Sequence, residues 1–389
     1  MKSKISKNIM KISKGVKIPR FYNLKNYLQT GKVLVIYGSR QVGKTTLLND
    51  FLATTDLKYK LDSGDNIRIQ QILSSEDFPQ IKDYASGYDL IAIDEAQRIP
   101  RVGTGLKIMV DQIRNIKIIA TGSSSFELSG QIGEPLTGRK KTLILYPISQ
   151  LELSKIYNPY EIKEKLDEWL IFGSYPSVVT AKSREEKISI LNEIVDSYLL
   201  KDILELERIK GSKILIDLLR LLAFQIGGEV SFSELASQMG IDYKTVARYL
   251  DLLQKSFIIF ALSGFSRNLR KEITKKNKYY FYDNGIRNAI ISNFNESGLR
   301  DDVGKLWENF IIVERLKKQA YKKIPANNYF WRTWDSKEID WVEEREGKLF
   351  GYEIKWGKDK IKPPKEWLSV YKEAYFEMIN RENYLKFIT

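Results

Sequence analysis

The sequence contains neither cysteine nor histidine among its 389 residues. Without cysteine the chain has no disulfide bond and no thiolate metal site. Without histidine it has no Ser–His or Cys–His nucleophile pair and no histidine-bound metal. Any chemistry must therefore use carboxylates, lysine, arginine, hydroxyl groups and hard cations such as Mg²⁺. The sequence also lacks an apolar run of membrane-spanning length, and its basic start lacks the apolar segment of a secretory signal. We therefore expect a cytoplasmic protein.

Acidic residues are outnumbered by basic ones. The chain has 49 acidic residues and 63 lysine and arginine residues, which gives a formal net charge of +14. Such a balance favours a polyanionic partner, above all nucleic acid; a lysine-rich, solvated surface is the alternative. Residues 1–20 carry seven basic side chains and no acidic one. They predict a mobile tail, or a short helix that packs on an acidic surface. The length predicts two to four domains.

The most informative stretch runs from Lys32 to Leu48. Residues 33–37 predict a buried strand, a GxxxxGKT loop follows, and an apolar helical run begins at Thr46. This is the context of a phosphate-binding loop, in which Lys44 supplies charge for the β- and γ-phosphates and the Thr45 hydroxyl can ligate Mg²⁺. A glycine-rich turn that binds nothing is the alternative. The predicted nucleotide-binding residues are Gly38, Ser39, Arg40, Gln41, Val42, Gly43, Lys44, Thr45 and Thr46.

A second apolar run, residues 89–94, ends in two acidic residues, Asp94 and Glu95. At the end of a buried strand, the first acid can hold Mg²⁺ and the second can polarise the attacking water. A helix-capping acid is the alternative. About fifty residues after a phosphate loop, nucleotide chemistry explains the pair better.

The next two predicted strands each adjoin a candidate nucleotide-sensing residue. Residues 116–121 lead into Ser123, whose hydroxyl can sense the γ-phosphate or hold the water; a helix N-cap is the alternative for the serines here. Arg139 lies at the start of a fifth predicted strand. It could act as an arginine finger or form a surface salt bridge. Strands that alternate with helical stretches predict a parallel α/β sheet.

The pattern turns helical after the predicted sheet. Residues 149–210 predict an all-helical connector or lid. Residues 211–300 predict a helix-turn-helix followed by two strands with a basic link, which together indicate a winged helix. Its recognition helix presents Tyr243, Lys244 and Arg248, which favours nucleic-acid contact; a protein-packing module is the alternative. The basic residues of the link are Arg267, Arg270, Lys271, Lys275, Lys276 and Lys278.

The last segment contains a predicted hairpin whose Glu-Gly dipeptide suits a two-residue turn. This turn would place Asp340 directly opposite Glu353 on one face of the hairpin. Like charges directly opposite are destabilising, whereas two facing carboxylates suit Mg²⁺ or Mn²⁺. Lys355 could then orient water, and Glu308, from the preceding helix, could complete the shell. An exposed hairpin with a Glu338–Lys355 salt bridge is the alternative.

Together, these motifs resemble the bacterial and archaeal ATPases of the AAA superfamily that end in a PD-(D/E)xK nuclease-like domain. The resemblance covers nearly all of the chain after residue 20. It rests on the phosphate loop, the two adjacent acids, Thr121-Gly-Ser-Ser124, Gly138-Arg139 and the terminal hairpin. It implies that nucleotide phosphates and Mg²⁺ are bound by Gly43, Lys44 and Thr45. The implied ATPase residues are Asp94 for the metal, Glu95 for water activation, Ser123 as sensor, where AAA proteins often have asparagine, and Arg139 as finger or sensor. The implied nuclease motif is Glu308, Asp340, Glu353 and Lys355.

The predicted fold is α/β, with a P-loop NTPase sheet followed by a helical connector, a winged helix and a small α/β nuclease-like domain. The predicted boundaries are a basic tail at 1–20, the ATPase domain at 21–148, the connector at 149–210, the winged helix at 211–300 and the nuclease-like domain at 301–389. We expect an ATP- and Mg²⁺-dependent switch, with Mn²⁺ as an option at the C-terminal site. The switch would act on nucleic acid and would not associate with a membrane. Metal-dependent DNA cleavage and self-association are further options. The alternative is a signalling or scaffolding switch whose C-terminal modules bind protein and cleave nothing.

Overall fold

A computed structural model of the protein describes residues 18–122, 135–199, 212–266, 276–333, 337–357 and 361–389. The chain divides into an N-terminal unit, residues 20–146 with 255–257, and a C-terminal unit that contains residues 147–254 and 258–389. Within the described ranges, no helix is both long and apolar enough to span a bilayer.

The N-terminal unit is built on a five-stranded parallel sheet with the order β2-β3-β4-β1-β5. This confirms the parallel α/β sheet predicted from the alternating pattern. All five residues of β1 are buried, as expected of a strand covered on both faces. The strands are β1 (Val33–Tyr37), β2 (Tyr59–Ser63), β3 (Leu90–Asp94), β4 (Lys117–Gly122) and β5 (Lys140–Ile144).

Local capping sets where the helices around this sheet begin. The Asn66 side chain accepts a hydrogen bond from the Arg68 N–H, and the Asp77 side chain accepts one from the Gln80 N–H, so each caps the helix that follows it. The first helix begins at Lys44, directly after the GxxxxG loop. The helices are α1 (Lys44–Leu52), α2 (Ile67–Ser74), α3 (Phe78–Ala85) and α4 (Val102–Gln112), with 3₁₀ turns at Leu24–Asn26 and Ala96–Arg98.

The C-terminal unit begins with short helices, as the periodicity predicts. Ser149 and Asn158 each start a helix with a capping box, in which a glutamate three residues later bonds back to the cap. A π-helical segment, Ile194–Leu199, follows the fifth of these helices. They are α5 (Gln150–Leu153), α6 (Pro159–Glu164), α7 (Leu166–Phe172), α8 (Pro176–Thr180) and α9 (Arg184–Glu193).

The later elements form a second sheet with the order β12-β11-β10-β9-β7-β8-β6. Because β7 pairs in parallel with β9, strands on both sides of the predicted 300/301 boundary belong to one sheet. The strands are β6 (Glu229–Val230), β7 (Ile259–Gly264), β8 (Asn277–Phe281), β9 (Asn327–Arg332), β10 (Glu338–Arg345), β11 (Lys348–Ile354) and β12 (Tyr375–Ile379). The helices are α10 (Ser212–Phe224), α11 (Phe232–Met239), α12 (Tyr243–Lys255), α13 (Asn284–Ile290), α14 (Val303–Lys322), α15 (Lys365–Val370) and α16 (Tyr384–Ile388), with a 3₁₀ turn at Ser297–Leu299.

The β10–β11 hairpin has the predicted register. Its ladder runs from the Arg345–Lys348 pair to the Trp341–Tyr352 pair. Glu346 and Gly347 form the two-residue turn, and both have positive φ, +50° and +76°, as a type I′ hairpin turn requires. The hairpin is central to the unit, because it is paired on both sides and Trp341 is fully buried.

Candidate functional site

The phosphate loop joins β1 to α1. Gly43 has a φ of +93° and precedes the first turn of the helix, which begins at Lys44. A Cβ on Gly38 would lie 2.2 Å from the Leu145 carbonyl oxygen, so a larger residue does not fit there. The buried Lys44 Nζ donates to the carbonyl oxygens of Gly38 and Ser39, each at 2.9 Å. The loop therefore holds an ammonium group where the oxygens of a phosphate can become its partners.

Asp94 connects the phosphate loop to β4. Its Oδ2 accepts a hydrogen bond from the Thr45 hydroxyl at 2.7 Å, and its Oδ1 accepts one from the Thr121 hydroxyl. Thr121 Oγ1 in turn accepts the backbone N–H of Glu95 at 3.1 Å. The four residues meet at the carboxyl edge of the sheet, where open α/β sheets bind their ligands.

Glu95 is held in an uncommon backbone conformation next to this network. Its φ is +51°, in the left-handed region, and a Cβ on Gly64 would lie 2.2 Å from the Glu95 carbonyl oxygen. The Gln97 amide donates to Glu95 Oε2 at 2.5 Å. The sequence analysis missed Gln97 and Gly64; the position of Gln97, two residues after the acid, is the only signal the sequence offers for it.

Arg20 supports the phosphate loop from outside. Its guanidinium donates to the Val42 carbonyl oxygen and, at 2.6 Å, to the Tyr146 carbonyl oxygen. The sequence analysis placed Arg20 at the end of the basic tail and assigned it no such contact. Lys2, Lys4, Lys7, Lys11, Lys14 and Lys17 of that tail lie outside the described residues.

These side chains fit a nucleotide phosphate with a bound Mg²⁺. The Thr45 hydroxyl and the Asp94 carboxylate are adjacent oxygen donors of the kind that Mg²⁺ prefers. Lys44 supplies the positive charge, and all the predicted residues from Gly38 to Thr46 lie in the loop or the first turn of α1. When bound, the metal would neutralise charge on the phosphates. Thr45 and Asp94 are the residues that would hold it.

Of the two predicted sensor residues, Ser123 and Arg139, the structure describes only Arg139. Ser123, together with Ser124 and Ser125, lies outside the described residues. Arg139 directly precedes β5, and its Nε lies 2.7 Å from Asp111 Oδ1. Both side chains of this ion pair are partly exposed, and exposed ion pairs contribute at most about 1 kcal/mol. Arg139 can therefore leave Asp111 at little cost, so its role as an arginine finger stays a prediction.

Substituting each partner of this ion pair separates the two roles of Arg139. We expect Arg139→Ala to lower ATP turnover by roughly tenfold or more, since a finger stabilises charge on the transferring phosphoryl group. Asp111→Asn breaks the same ion pair but should leave turnover within about twofold. If the finger acts between subunits, mixing Arg139→Ala with Lys44→Ala protein should restore part of the turnover. Equal losses in Arg139→Ala and Asp111→Asn would reduce Arg139 to a structural residue, and no recovery on mixing would exclude action between subunits.

The hairpin of the C-terminal unit brings three of the predicted nuclease-motif residues together. Lys355 Nζ lies 2.7 Å from Glu353 Oε1 and 3.9 Å from Asp340 Oδ2. Asp340 Oδ2 also accepts the backbone N–H of Ile354 at 2.8 Å. Both carboxylates are buried, so this is not the exposed hairpin of the alternative interpretation.

Lys278 lies next to these acids, although the sequence analysis placed it in the basic link. The assignment of Lys278 to the basic wing is wrong: the residue is only 2% exposed. Its ammonium contacts the Glu338 carboxylate and lies 4.0 Å from Glu308 Oε1. The reason is that β8 is paired on both sides, by β6 and β7, and its Lys278 side chain points toward acids of α14 and β10. The expected Glu338–Lys355 salt bridge is replaced by the Glu338–Lys278 pair.

Glu308 joins the group from α14, accepting a hydrogen bond from the Tyr280 hydroxyl at 2.7 Å. We call Glu308, Glu338, Asp340, Glu353, Lys278 and Lys355 the carboxylate cluster. Its acids repel one another in a poorly solvated site. Burial and then the charge of Asp340 raise the pKa of Glu308 to about 8 and that of Glu353 to about 7.

The pKa values of Asp340 and Lys278 are shifted as well. Burial raises the pKa of Asp340 even though the charges of Lys278 and Lys355 oppose the shift. Burial by itself would lower the pKa of Lys278, but the surrounding carboxylates outweigh this effect and the net pKa is raised. Lys278 is thus a firmly charged ammonium group within the cluster.

As arranged, the carboxylate cluster does not fit a divalent cation. In the described part of the chain, no group of three or more acidic side chains is placed to hold a metal ion. The ammonium of Lys278 lies between Glu308 and Glu338 instead. The Mg²⁺ or Mn²⁺ expected at Asp340 and Glu353 therefore finds no ready-made site.

The predicted helix-turn-helix lies at α11 and α12. Gly240, with a φ of +64°, ends α11, and the Asp242 side chain accepts the N–H of Thr245 at the start of α12. Tyr243, Lys244 and Arg248 are exposed on α12, as expected. Of the basic link, Arg267, Arg270, Lys271 and Lys275 lie outside the described residues, whereas Lys276 is exposed.

Three family models match the chain. Residues 30–154 match an AAA domain, and this similarity supports ATP binding and hydrolysis. Residues 163–297 match a domain of unknown function, DUF8612. Residues 303–380 match another, DUF4143; neither description states an activity.

Two uncharacterized relatives each align with 85% of this chain. An uncharacterized protein of Mycobacterium tuberculosis is 27% identical over 340 residues, which is 85% of this chain and 72% of the relative. An uncharacterized protein of Haemophilus influenzae is 26% identical over 361 residues, 85% of this chain and 86% of the relative. Among solved structures, the Walker-type ATPase PABY2304 of Pyrococcus abyssi aligns with a TM-score of 0.45 and 17% identity over 67% of this chain and 91% of its own.

Proposed function

We propose that this protein is an ATP-hydrolysing switch of the AAA type that acts on nucleic acid through its C-terminal unit. The observation that carries the ATPase part is the contact of the Thr45 hydroxyl with Asp94 at 2.7 Å, next to the buried ammonium of Lys44. This arrangement places the phosphate loop and the acid of β3 within reach of one nucleotide. The AAA domain match over residues 30–154 supports it.

The residues around this site have separable roles in hydrolysis. Lys44 would exchange its two carbonyl partners for phosphate oxygens, orienting the terminal phosphates and offsetting their charge. Glu95 would accept a proton from the attacking water. Thr121 fixes the backbone of Glu95, and Gln97 fixes its carboxylate. Positioning of this kind lowers the barrier because the groups need little reorganisation during the reaction.

Charge and helix geometry support nucleic acid as the partner. The chain carries a formal net charge of +14, and α12, the second helix of the predicted helix-turn-helix, exposes Lys244 and Arg248. Basic side chains on such a helix contact phosphates and position the protein without reading sequence. We therefore expect binding with little sequence preference and a strong dependence on salt.

Neutralising α12 tests this part of the proposal. We expect Lys244→Gln with Arg248→Gln to flatten the slope of log affinity for duplex DNA against log salt by up to about 1.8, since each lost phosphate contact removes about 0.9. Lys82→Gln with Lys107→Gln, two exposed lysines of the N-terminal unit, is the matched control and should leave the slope unchanged. The measurement is fluorescence anisotropy from about 50 to 200 mM salt.

The basic link provides a second set of charges for the same measurement. Replacing Arg270, Lys271, Lys275 and Lys276 by glutamine should flatten the slope further if the link contacts phosphates. If neither duplex nor single-stranded DNA binds at low salt, the C-terminal unit is a protein-binding module. The protein would then be the signalling or scaffolding switch of the alternative.

DNA cleavage by the C-terminal unit is the finer part of the proposal. The contacts of Lys355 with Glu353 and Asp340 support it, since these are the residues of the nuclease motif. We assign no step to a metal ion here, because the acids as arranged do not fit one. The direct assay compares wild type with Asp340→Asn and Lys355→Ala on linear, branched and RNA substrates; equal products from all three proteins would remove the hairpin from any cleavage.

A further inference from the structure

Lys278 occupies an unusual place for a lysine. Its side chain is 3% exposed, and its ammonium contacts the Glu338 carboxylate of β10 and lies 4.0 Å from Glu308 Oε1 of α14. It also lies 5.1 Å from the centre of the Phe330 ring. A charge this deeply buried is retained only where opposite charges surround it. The acids around Lys278 therefore hold a cation at this position.

The charge balance of the carboxylate cluster depends on this one side chain. Its four acids are Glu308, Glu338, Asp340 and Glu353, whereas it contains two lysines, Lys278 and Lys355. The ammonium of Lys355 is engaged by Glu353 and Asp340. Arg332, 3.8 Å from Glu338, is partly exposed and is also paired with Glu229. Removing the charge of Lys278 would take away the ammonium that contacts Glu338 and lies 4.0 Å from Glu308 Oε1.

A second observation indicates that the cluster still has capacity for a cation. Glu353 is 8% exposed, and its Oε2 is buried and has no hydrogen-bond partner among the residues that the structure describes. An unpaired buried carboxylate oxygen is costly. Carboxylate oxygens from several elements are also the ligands that Mg²⁺, Mn²⁺ and Ca²⁺ take in proteins.

We propose that the Lys278 ammonium is the resident cation of the carboxylate cluster, held in place of a divalent metal ion. Removing its charge then opens a divalent-cation site formed by the acids around it, Glu308, Glu338 and Asp340. Nothing in this inference requires ATP hydrolysis or DNA binding. It gives a physical reason why the acids at this site are close together and yet are not arranged to hold a metal ion.

Mn²⁺ binding to the full-length chain tests the proposal. Every protein carries Asp94→Asn, which removes the carboxylate expected to hold a metal ion at the nucleotide site. We expect Lys278→Gln to bind Mn²⁺ at least tenfold more tightly than the parent, by isothermal titration calorimetry and by the loss of the free Mn²⁺ electron paramagnetic resonance signal. Lys278→Arg keeps the charge and should behave like the parent. Lys348→Gln, the same type of change at an exposed lysine of the same unit, should do so too.

Adding Asp340→Asn to Lys278→Gln should abolish the new binding, since it removes one of the three ligands. Equal Mn²⁺ affinity in the parent and in Lys278→Gln would overturn the proposal, as would the absence of binding in both. If Lys278→Gln is unfolded without metal, saturating Mn²⁺ should restore its thermal unfolding transition, because a ligand of the folded state stabilises it. A variant that stays unfolded in Mn²⁺ would also overturn the proposal.

Discussion

Replacing Glu95 by glutamine should reduce ATP turnover by roughly a hundredfold or more while ATP affinity stays within about twofold of wild type. A positioned general base contributes typically about 10²–10⁴ to rate, and an amide cannot take the proton. The substitution keeps the shape of the side chain, and its carbonyl oxygen can still accept the hydrogen bond that Gln97 donates to Glu95. Lys44, Thr45 and Asp94 are untouched, so the affinity for nucleotide should persist. Single-turnover hydrolysis and fluorescent-nucleotide titration measure the two quantities.

Asp83→Asn is the matched control for this change, since it makes the same carboxylate-to-amide replacement at an exposed position of the same unit. It should alter neither turnover nor affinity. If Glu95→Gln turns over ATP like wild type, Glu95 is not the base. If it loses affinity as well, the substitution has disturbed the loop between β3 and β4. Thermal unfolding of each variant separates that result from loss of the fold.

The geometry around Lys44 and Asp94 could be predicted because most of it is local in sequence. The residues from Gly38 to Thr46 are consecutive, and the residues directly before and after them predict the strand and the helix on either side of the loop. Asp94 comes from another strand, but the carboxyl ends of parallel strands meet at one edge of the sheet, so its proximity follows from the pattern. The register of the β10–β11 hairpin could also be predicted from the sequence, because a two-residue turn fixes it.

What could not be predicted depends on pairings between distant segments. Thr121 faces Asp94 because β3 and β4 are neighbours in a particular register, which no local pattern specifies. In the sequence, Lys278 looks like one more basic residue of the basic link. In the structure, the pairing of β8 with β6 and β7 buries it against Glu338, sixty residues further along the chain. The contact of Arg20 with the Val42 carbonyl oxygen is equally long-range. Charge along a sequence therefore does not predict where each charged side chain will lie.

Replacing Lys44 by alanine should weaken ATP binding by at least about a hundredfold. The ammonium can make charge-assisted contacts with two phosphates, each contributing about 1.5–3 kcal/mol, and about 1.4 kcal/mol corresponds to a factor of ten. Its present partners, the carbonyl oxygens of Gly38 and Ser39, would lose one donor each. Because β1 and α1 hold the ends of the loop independently of this side chain, we expect the fold to survive. Titration with a fluorescent ATP analogue measures the loss of affinity.

Lys107→Ala is the control for this substitution, because Lys107 is an exposed lysine on α4 of the same unit. It removes the same charge without touching the loop, so any difference between the two variants reflects the position of the ammonium and not the net charge. Both proteins should unfold at similar temperatures. Unchanged ATP affinity in Lys44→Ala would mean that the loop between β1 and α1 is a glycine-rich turn that binds no phosphate. The proposal that ATP drives this protein would then fail at its first step.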